Sequence, residues 1–163
     1  MEIKIREVIA QDKETLETII RRNENFTDEE KHCAIELLNI YLKDTTKEEY
    51  LFICAADAAD RPVGYICYGK TPLTDGVYDI YWIAVDPIWQ GKRVGKMLIS
   101  HLENMLKKEG ARMIIAETSA QPMYAKTCLF YEKTGFHEIS RIKDFYRVGD
   151  DKIVYVKTLD TRP

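Results

Sequence analysis

The spacing of apolar residues changes along the chain, and each change predicts a different element. Residues 2–8 alternate polar and apolar positions, which predicts a first β-strand. Across Gln11–Asn25, and again after Thr27, apolar residues recur at helical spacing, so two helices are expected. Thr27 and Glu30 form a capping-box pattern, which predicts that the second helix begins at Thr27.

The middle of the chain is rich in residues that favour strands. Two such runs, Tyr50–Ala56 and Val63–Tyr68, flank a turn at 57–62 and predict a hairpin. The segment Val77–Val85 is almost entirely β-branched or aromatic, which is typical of a central strand covered on both faces. A third helix is predicted to open at Gln90-Gly91, after this strand ends.

The last third of the chain alternates between the two patterns. It predicts a strand at Met113–Glu117, a helix at Pro122–Thr134, and strands at Phe136–Ile142 and Lys152–Leu159. The complete order is β, α, α, β, β, β, α, β, α, β, β. This order predicts an α/β (α+β) fold in which about four helices pack on a mixed sheet of about seven strands.

Composition and charge narrow the possible functions. The chain has 163 residues, of which 45% are hydrophobic and 31% charged, and this predicts one globular domain over residues 1–163. A net charge of -3 is too small to indicate a nucleic-acid partner, and no run of about 18 apolar residues predicts a membrane span. The first residues lack the apolar core of a signal peptide, so a cytoplasmic protein is expected.

The cysteines give no sign of a metal site. Cys33, Cys54, Cys67 and Cys128 form no CxxC pair, and the chain has only three histidines. Zinc-ligand spacing is therefore absent, and no metal is expected. Four reduced thiols, most of them buried, are the simplest interpretation.

The segment Tyr81–Leu98 combines a strand, a turn and the start of a basic helix. The first N–H groups of a helix have no partner within it, and glycines in the turn let an anion approach the backbone. Lys92, Arg93 and Lys96 add positive charge. The residues alone leave two interpretations open, an anion site or a plain helix start with a solvated charged face. The turn is neither a Walker loop nor a GxGxxG fingerprint.

Two motifs give the chain a family resemblance. Residues 85–95, VDPIWQGKRVG, resemble the acetyl-CoA loop of the GCN5-related N-acetyltransferases (GNAT), whose pattern is [Q/R]-x-x-G-x-[G/A] after a strand that ends in V-D/H-P. Further along, LFYEKTGF at 129–136 resembles the family's second signature, [L/F]-Y-x-K-x-G-F. The predicted element order is also that of the family. The resemblance therefore covers nearly the whole chain and implies the family's mostly antiparallel sheet.

Two positions depart from the family pattern. The first loop glycine of the family is Arg93 here. We expect position 93 to lie in the first helical turn, where a side chain causes no backbone strain and the guanidinium faces outward or reaches a phosphate. If glycine is required there, binding of the pyrophosphate is weakened. Cys128 stands where many relatives carry an arginine before the tyrosine, which removes one cation near the cofactor.

The resemblance implies a site for acetyl-CoA and direct transfer of its acetyl group to an amine. In the family, the strand that contains Ile83–Val85 splays from its neighbour, here Met113–Glu117. The pantetheine arm then pairs with the exposed backbone, and an N–H there would bind the thioester oxygen. The residues implied in binding acetyl-CoA are Ile83, Ala84, Val85, Gln90, Gly91, Lys92, Arg93, Val94, Gly95 and Lys96.

Tyr131 matches the family's general acid, which protonates the sulfur of CoA. A phenol suits this role because it stays protonated at pH 7, although Tyr131 could instead be a core residue beside Phe130 and Phe136. The acceptor amine, with a pKa near ~10, must also lose a proton. Glu117 and Asp79 are the candidate bases, since burial would raise the pKa of either. Each is otherwise a paired structural carboxylate, and a water chain is a further alternative.

The acceptor is predicted to be the primary amine of a small molecule, with a peptide N-terminus or a lysine as the second choice. A non-catalytic acyl-CoA sensor and an unrelated phosphate-binding module are the alternatives. Several aromatic residues would either welcome an ammonium group or simply pack the sheet, namely Tyr78, Tyr81, Trp82, Tyr124 and Tyr146. An edge strand or the final hairpin could pair across a homodimer.

Overall fold

Helices and strands follow one another in the predicted order. The computed structural model of the protein describes residues 2–159. In this range the helices are α1 (Lys13–Arg22), α2 (Asp28–Lys43), α3 (Val94–Lys108) and α4 (Ala125–Lys133). The strands are β1 (Lys4–Glu7), β2 (Leu51–Ala56), β3 (Pro62–Lys70), β4 (Val77–Val85), β5 (Met113–Ser119), β6 (His137–Arg147) and β7 (Asp150–Thr158). None of these helices is long and apolar enough to span a membrane.

The strands form one sheet with the order β1-β2-β3-β4-β5-β7-β6. β4 and β5 run parallel. β2 is antiparallel to β1 and β3, and β7 is antiparallel to β5 and β6. This mixed, mostly antiparallel sheet with four helices over the described residues confirms the predicted fold class.

The chain divides into two compact units. The first combines the residues up to Gly69 with Tyr81–Leu102, and the second combines Lys70–Ile80 with the residues from Glu103 onward. β4 and α3 each contribute residues to both units. That residues 1–163 form one domain stays a prediction.

In the first unit, α1 and α2 pack on β2 and β3. Apolar residues at helical spacing in the two helices contact alternate residues of the strands. The buried members of this core include Leu16, Ile20, Leu38, Phe52 and Tyr65. Burying one such aliphatic side chain stabilises the fold by about 1.5–3 kcal/mol, so this layer contributes to the stability of the unit.

One polar atom of this core has no partner. The Tyr65 hydroxyl is enclosed and forms no hydrogen bond with a described residue, while the Tyr65 ring stacks on Phe52 with 5.8 Å between centroids. Burial raises the pKa of Tyr65 well above its usual value, so the phenol stays neutral. In the same core, the Tyr41 hydroxyl donates to the carbonyl of Val8 at 2.8 Å.

In the second unit, α4 packs on β7 through aromatic residues. Tyr131 stacks on Tyr155 with 5.6 Å between ring centroids, and it meets Phe136 edge-on at 5.2 Å. Lys157 of β7 forms an ion pair with Glu103 of α3, with Nζ 2.6 Å from Oε2. Because Tyr155 and Lys157 are two positions apart on the strand, these contacts hold α4 and the end of α3 on the same face of β7.

β6 is an edge strand and is exposed along its whole length. Its ladder with β7 is interrupted twice, between Glu138 and Ser140 and between Ile142 and Arg147. Bulges of this kind, together with charged side chains, discourage pairing with a further strand. A homodimer through this edge stays a prediction, and the bulges weigh against it.

Several predicted element boundaries differ from the structure, and two of them adjoin the candidate site residues. α3 begins at Val94 rather than at Gln90-Gly91, because the backbone turns through the left-handed region before the helix starts. β5 continues to Ser119 rather than ending at Glu117, because its ladder with β7 extends that far. Both differences arise where tertiary geometry, not local pattern, sets the end of the element.

The cysteines are less buried than expected. Cys54 and Cys67 are buried in the first unit, whereas Cys128 is half-buried and Cys33 is exposed. All four are free thiols. The expectation that most of them are buried therefore holds for two of the four.

Candidate active site

An exposed turn connects β4 to α3. Asp86 follows β4, and its carboxylate accepts a hydrogen bond from the N–H of Ile88 at 3.0 Å, which opens a single 3₁₀ turn. The chain then passes through Gln90–Arg93 before α3 begins at Val94. We call Gln90–Arg93, with the first turn of α3 up to Lys96, the phosphate loop.

Two residues of the phosphate loop have a left-handed backbone, with φ of +75° at Gly91 and +65° at Arg93. The expectation that Arg93 lies in the first helical turn is wrong. Arg93 precedes α3, and its carbonyl accepts the hydrogen bond of the Met97 N–H at 3.0 Å. A left-handed residue other than glycine costs roughly 1–2 kcal/mol, so Arg93 is strained where the prediction expected no strain.

The phosphate loop has the features of an anion site. The N–H groups that precede Met97 in α3 have no partner within the helix. Lys92, Arg93 and Lys96 are exposed, and none of them forms an ion pair with another described residue. Lys92 lies over the Trp89 ring, with Nζ 4.8 Å from the centroid. Free N–H groups and three unpaired cations at one helix start favour a phosphate.

The second half of β4 has no pairing with β5. The parallel ladder joins Val77 to Met113 and ends where Ile80 meets Ala116. No further β4–β5 pair follows within residues 2–159, although β4 itself continues to Val85. The Gln90 side chain reaches back to this strand end, with Nε2 3.4 Å from the Val85 carbonyl. Ile83–Val85 thus agree with the expected splayed strand.

Tyr131 lies on α4 with its ring almost fully buried. Only 4% of the residue is exposed, and the rings of Phe130, Phe136 and Tyr155 contact it. Its hydroxyl forms no hydrogen bond with any residue in the described range. Burial, and then the negative charge of a Cys128 thiolate, raise the pKa of Tyr131 above its usual value. Tyr131 is therefore a neutral phenol whose proton is available to a ligand.

A thiol and a second phenol lie beside Tyr131. Cys128 is one helical turn earlier on α4, and its Sγ lies 4.0 Å from the Ser119 carbonyl oxygen. The Tyr155 hydroxyl donates to Glu132 at 3.3 Å. Burial first, and then the Cys128 thiol, raise the pKa of Tyr155. We call Cys128, Tyr131 and Tyr155 the α4–β7 cluster.

Asp79, one of the two candidate bases, is held by a threonine. The Thr71 hydroxyl donates to Oδ2 of Asp79 at 2.6 Å, beside the turn between β3 and β4. The residue is half-buried, and a carboxylate inside a strand needs such a partner. This contact favours the alternative in which Asp79 is a structural carboxylate.

Glu117, the other candidate base, is more accessible than expected. Its side chain is 47% exposed, and Oε2 lies 3.1 Å from Nζ of Lys152. Lys152 is only 13% exposed, because it also lies over the Phe145 ring at 4.2 Å. Glu117 is thus not buried, in contrast to the expectation for this residue.

Three neighbours of the candidate residues are not evident from the sequence. Lys152 and Tyr155 lie on β7, and only the alternation of that strand could have placed Tyr155 on its buried face. Phe26, between α1 and α2, meets Trp82 edge-on with 5.2 Å between ring centroids. No sequence signal pairs Phe26 with Trp82.

The predicted site residues fall into two sets. The phosphate loop and Ile83–Val85 belong to the first unit, whereas Tyr131, Glu117 and Asp79 belong to the second. Within the second unit, the strand register places Asp79 and Glu117 on one face of β5. Tyr131 packs against Tyr155, which lies on the opposite face. The two carboxylates are therefore separated from the phenol by the sheet.

Both sets of residues lie within a segment that matches a known protein family. The acetyltransferase (GNAT) family matches residues 14–136. The chain is a GNAT-family protein. It is similar to a solved structure from Desulfovibrio desulfuricans that was assigned to the GNAT family as an acetyltransferase. The identity is 37%, the TM-score is 0.91, and the similarity covers 97% of this chain and 99% of that one. The resemblance inferred from the two motifs is confirmed.

Two other proteins to which the chain is similar are named for different acceptors. The [ribosomal protein bS18]-alanine N-acetyltransferase of Escherichia coli K12 is 32% identical over 73 residues, which cover 45% of this chain and 48% of that protein. The chain thus spans about half the length of the curated relatives it matches. An aminoglycoside 6'-N-acetyltransferase solved with coenzyme A is 20% identical, with a TM-score of 0.73 over 98% of this chain and 99% of that one. That likeness shows the fold alone.

Proposed function

We propose that the chain is an N-acetyltransferase that transfers the acetyl group of acetyl-CoA directly to a primary amine. The observation that carries this proposal is Tyr131, a buried neutral phenol whose hydroxyl has no partner among the described residues. Membership of the GNAT family supports the reaction class, and the relative solved with coenzyme A supports the cofactor.

Acetyl-CoA would be held by backbone groups and by charge. The free N–H groups and exposed cations of the phosphate loop suit a pyrophosphate. The unpaired edge of Ile83–Val85 suits a pantetheine arm, and an N–H there suits the oxyanion that forms at the thioester carbon. The proposed binding residues are Ile83, Ala84, Val85, Gln90, Gly91, Lys92, Arg93, Val94, Gly95 and Lys96.

Tyr131 would act when the amine nitrogen attacks the thioester carbonyl. A carbon–nitrogen bond forms, the carbon–sulfur bond breaks, and the leaving CoA thiolate takes the phenolic proton of Tyr131. Burial disfavours the resulting tyrosinate, so it regains a proton from water. The same burial keeps Tyr131 protonated before the step, which is what a general acid requires.

Glu117 would take the proton that the acceptor amine loses. Its side chain is 47% exposed although it forms an ion pair with Lys152, whereas Asp79 is half-buried and accepts a hydrogen bond from the Thr71 hydroxyl. Glu117 also lies on the opposite face of β5 from Tyr131, so the amine proton and the sulfur proton would be handled separately. A water chain to Glu117 would serve the same purpose.

A small-molecule amine is the first acceptor we propose. An ammonium group would be attracted by an accessible carboxylate such as Glu117 and by aromatic side chains such as Phe145. A peptide N-terminus is the second candidate, because a curated relative is named for an alanine of a ribosomal protein.

Calorimetric titration with acetyl-CoA, followed by thiol release in the same preparation, tests the proposal. The acceptor panel would contain a polyamine, an aminoglycoside, free amino acids, a peptide that begins with alanine, and an N-terminally blocked peptide with one lysine. We expect binding, and thiol release with at least one acceptor class. Binding without release on the whole panel would favour the sensor, and absence of binding would exclude acetyl-CoA as the cofactor.

A further inference from the structure

The proposed base Glu117 forms one half of an ion pair that lies entirely within the second unit. Its Oε2 is 3.1 Å from Nζ of Lys152. The carboxylate side chain is 47% exposed, whereas the lysine is 13% exposed and lies beneath it. A ligand that reaches Glu117 therefore meets a negative charge first and a positive charge immediately beside it. We call these two residues the Glu117–Lys152 pair.

Apolar side chains surround the Glu117–Lys152 pair. The strand register places Val154 opposite Glu117. It also places Ile142 opposite Lys152, so all four side chains share one face of the sheet. The Phe145 ring contacts the lysine, with Nζ 4.2 Å from the ring centroid, and 50% of Phe145 is still exposed. The surroundings of the pair therefore suit a ligand that combines charged groups with an apolar part.

Every other carboxylate of the β6–β7 hairpin, all of which lies within residues 2–159, has a partner inside the protein. The contacts join Glu138 to the Arg141 guanidinium, Asp144 to the Gly149 N–H, Asp150 to the Ser119 hydroxyl and Asp151 to the Asp144 N–H. A ligand with a second ammonium group would find no unengaged carboxylate on this hairpin, and Lys152 would repel that group. The hairpin thus favours an acceptor with a single positive charge.

We infer that the acceptor is a free α-amino acid with an apolar side chain, an inference that rests on the proposed function. Its ammonium group would bind Glu117 and its carboxylate would bind Lys152, because a zwitterion and an ion pair attract each other when opposite charges meet. Its side chain would pack against Phe145. Lys152 is then a specificity-determining residue, since it contacts the one group that an amino acid has and a simple amine lacks.

The transfer itself follows the proposed mechanism. Glu117 takes a proton from the bound ammonium group, and the amine nitrogen that results attacks the thioester carbonyl. A carbon–nitrogen bond forms, the carbon–sulfur bond breaks, and the CoA thiolate takes the phenolic proton of Tyr131. The products are an N-acetyl amino acid and CoA. Glu117 returns its proton to water, and Tyr131 regains one.

Acceptors that differ from phenylalanine in one group test the inference on the full chain. Phenethylamine is phenylalanine without the carboxylate, and alanine is phenylalanine without the ring. Thiol release from acetyl-CoA should give phenylalanine a kcat/KM roughly 10–100-fold above that of phenethylamine, and several-fold above that of alanine. A polyamine should be the poorest acceptor. An equal or higher kcat/KM for phenethylamine, for the polyamine, or for a peptide that begins with alanine would overturn the inference.

Lys152→Met and Lys143→Met form a matched pair, because each removes one positive charge from the hairpin. Lys143 is an exposed residue of β6, whereas Lys152 contacts Glu117. Lys152→Met should abolish the preference for phenylalanine over phenethylamine, mainly through KM, and Lys152→Arg should restore part of it. Lys143→Met should keep the preference. If Lys152→Met lowers kcat/KM equally for both acceptors, Lys152 has a structural role only and the inference is wrong.

The proposed function and this inference fail in different ways. If acetyl-CoA does not bind, or if no acceptor releases CoA, the proposed function fails and the inference fails with it. If acetyl-CoA binds and other amines release CoA while phenylalanine and alanine do not, the inference alone fails.

Discussion

The phosphate loop is exposed and depends on its backbone, whereas the α4–β7 cluster is buried and depends on side-chain atoms. In the loop, the candidate chemistry comes from N–H groups and from two left-handed residues, Gly91 and Arg93. In the cluster, it comes from the hydroxyl of Tyr131. A backbone site tolerates any side chain that keeps φ, but a side-chain site does not tolerate loss of the reacting atom. Substitutions should therefore affect cofactor binding in the loop and turnover in the cluster.

Tyr131→Phe should have the largest effect. It removes one hydroxyl and keeps the ring contacts with Phe136 and Tyr155, so the fold and acetyl-CoA affinity should change little. Loss of a general acid should lower kcat by roughly 10²–10⁴-fold. Steady-state kinetics and calorimetry on the same sample measure both quantities, with Tyr155→Phe as the control. An unchanged kcat would remove Tyr131 from the mechanism.

Glu117→Gln should have the next largest effect. Loss of activity in this variant would identify Glu117 as a second side chain that takes part in the reaction. If Glu117 takes the amine proton, kcat/KM should fall by roughly 10²-fold, and the loss should be smaller at high pH, where more of the amine is neutral. Asp79→Asn is the matched control, since its partner is Thr71, and it should keep activity within a few-fold. The reverse result would make Asp79 the base.

Gly91→Val should weaken acetyl-CoA binding without affecting the chemistry. A Cβ at Gly91 meets no atom within 4 Å, so any effect must come from the backbone angle. Forcing a β-branched residue to a φ of +75° costs about 1–2 kcal/mol, so the free loop should leave this angle and lose roughly tenfold in affinity when it has to regain it on binding. Gly91→Asn is the control, because asparagine tolerates this region. Equal affinity of the two variants, measured by calorimetry, would show that the loop does not depend on its left-handed backbone.

Arg93→Gly should have a smaller effect, raising the unfolding free energy and lowering the affinity for acetyl-CoA. Glycine relieves the strain at a φ of +65°, but it also adds freedom to the unfolded chain, so the net gain in unfolding free energy should stay below about 1 kcal/mol. If the guanidinium contacts a phosphate, acetyl-CoA affinity should fall a few-fold at low salt and less at high salt. Denaturant unfolding and calorimetry at two salt concentrations test both effects. The same affinity at both salts would exclude the contact.

At alkaline pH, the unfolding free energy should depend on the ionisation of Tyr131 in the cluster and not on Arg93 in the loop. The pKa of Tyr131 is raised in the folded state, so its contribution to stability is complete below the unfolded value of about 10 and declines as pH rises above it. Tyr131→Phe should therefore flatten the loss of unfolding free energy above pH 10, by up to ~1.4 kcal/mol per pH unit. Arg93→Gly should leave that slope unchanged. Identical slopes for Tyr131→Phe and the unaltered protein would contradict the burial argument.

Local sequence patterns were sufficient for the element order and for the two motifs. The capping box at Thr27 and Glu30 is present, with hydrogen bonds in both directions, because it depends only on residues three apart. The start of α3 was not predictable in the same way. Arginine rarely adopts a left-handed backbone, and no neighbouring residue in the sequence predicts this conformation at Arg93.

Contacts between distant strands were also beyond local reasoning. Glu117 and Lys152 are separated by 35 positions in the chain and meet only because β5 and β7 pair in one particular register. That register decides that Glu117 is accessible and paired rather than buried. The same limit applies to Tyr131, since the motif identifies the residue, whereas its burial against Tyr155 is a property of the packed α4 and β7.

Tyr65 offers a starting point for engineering a more heat-resistant variant. An enclosed hydroxyl with no acceptor weakens the fold, and β3 contributes no residue to the candidate site. Phenylalanine at this position would keep the stack on Phe52 and remove the isolated polar atom. Natural selection removes only variants that fall below the stability a protein needs, so improvable positions of this kind persist in natural cores. Stability could thus be raised here without changing any side chain proposed to act on acetyl-CoA.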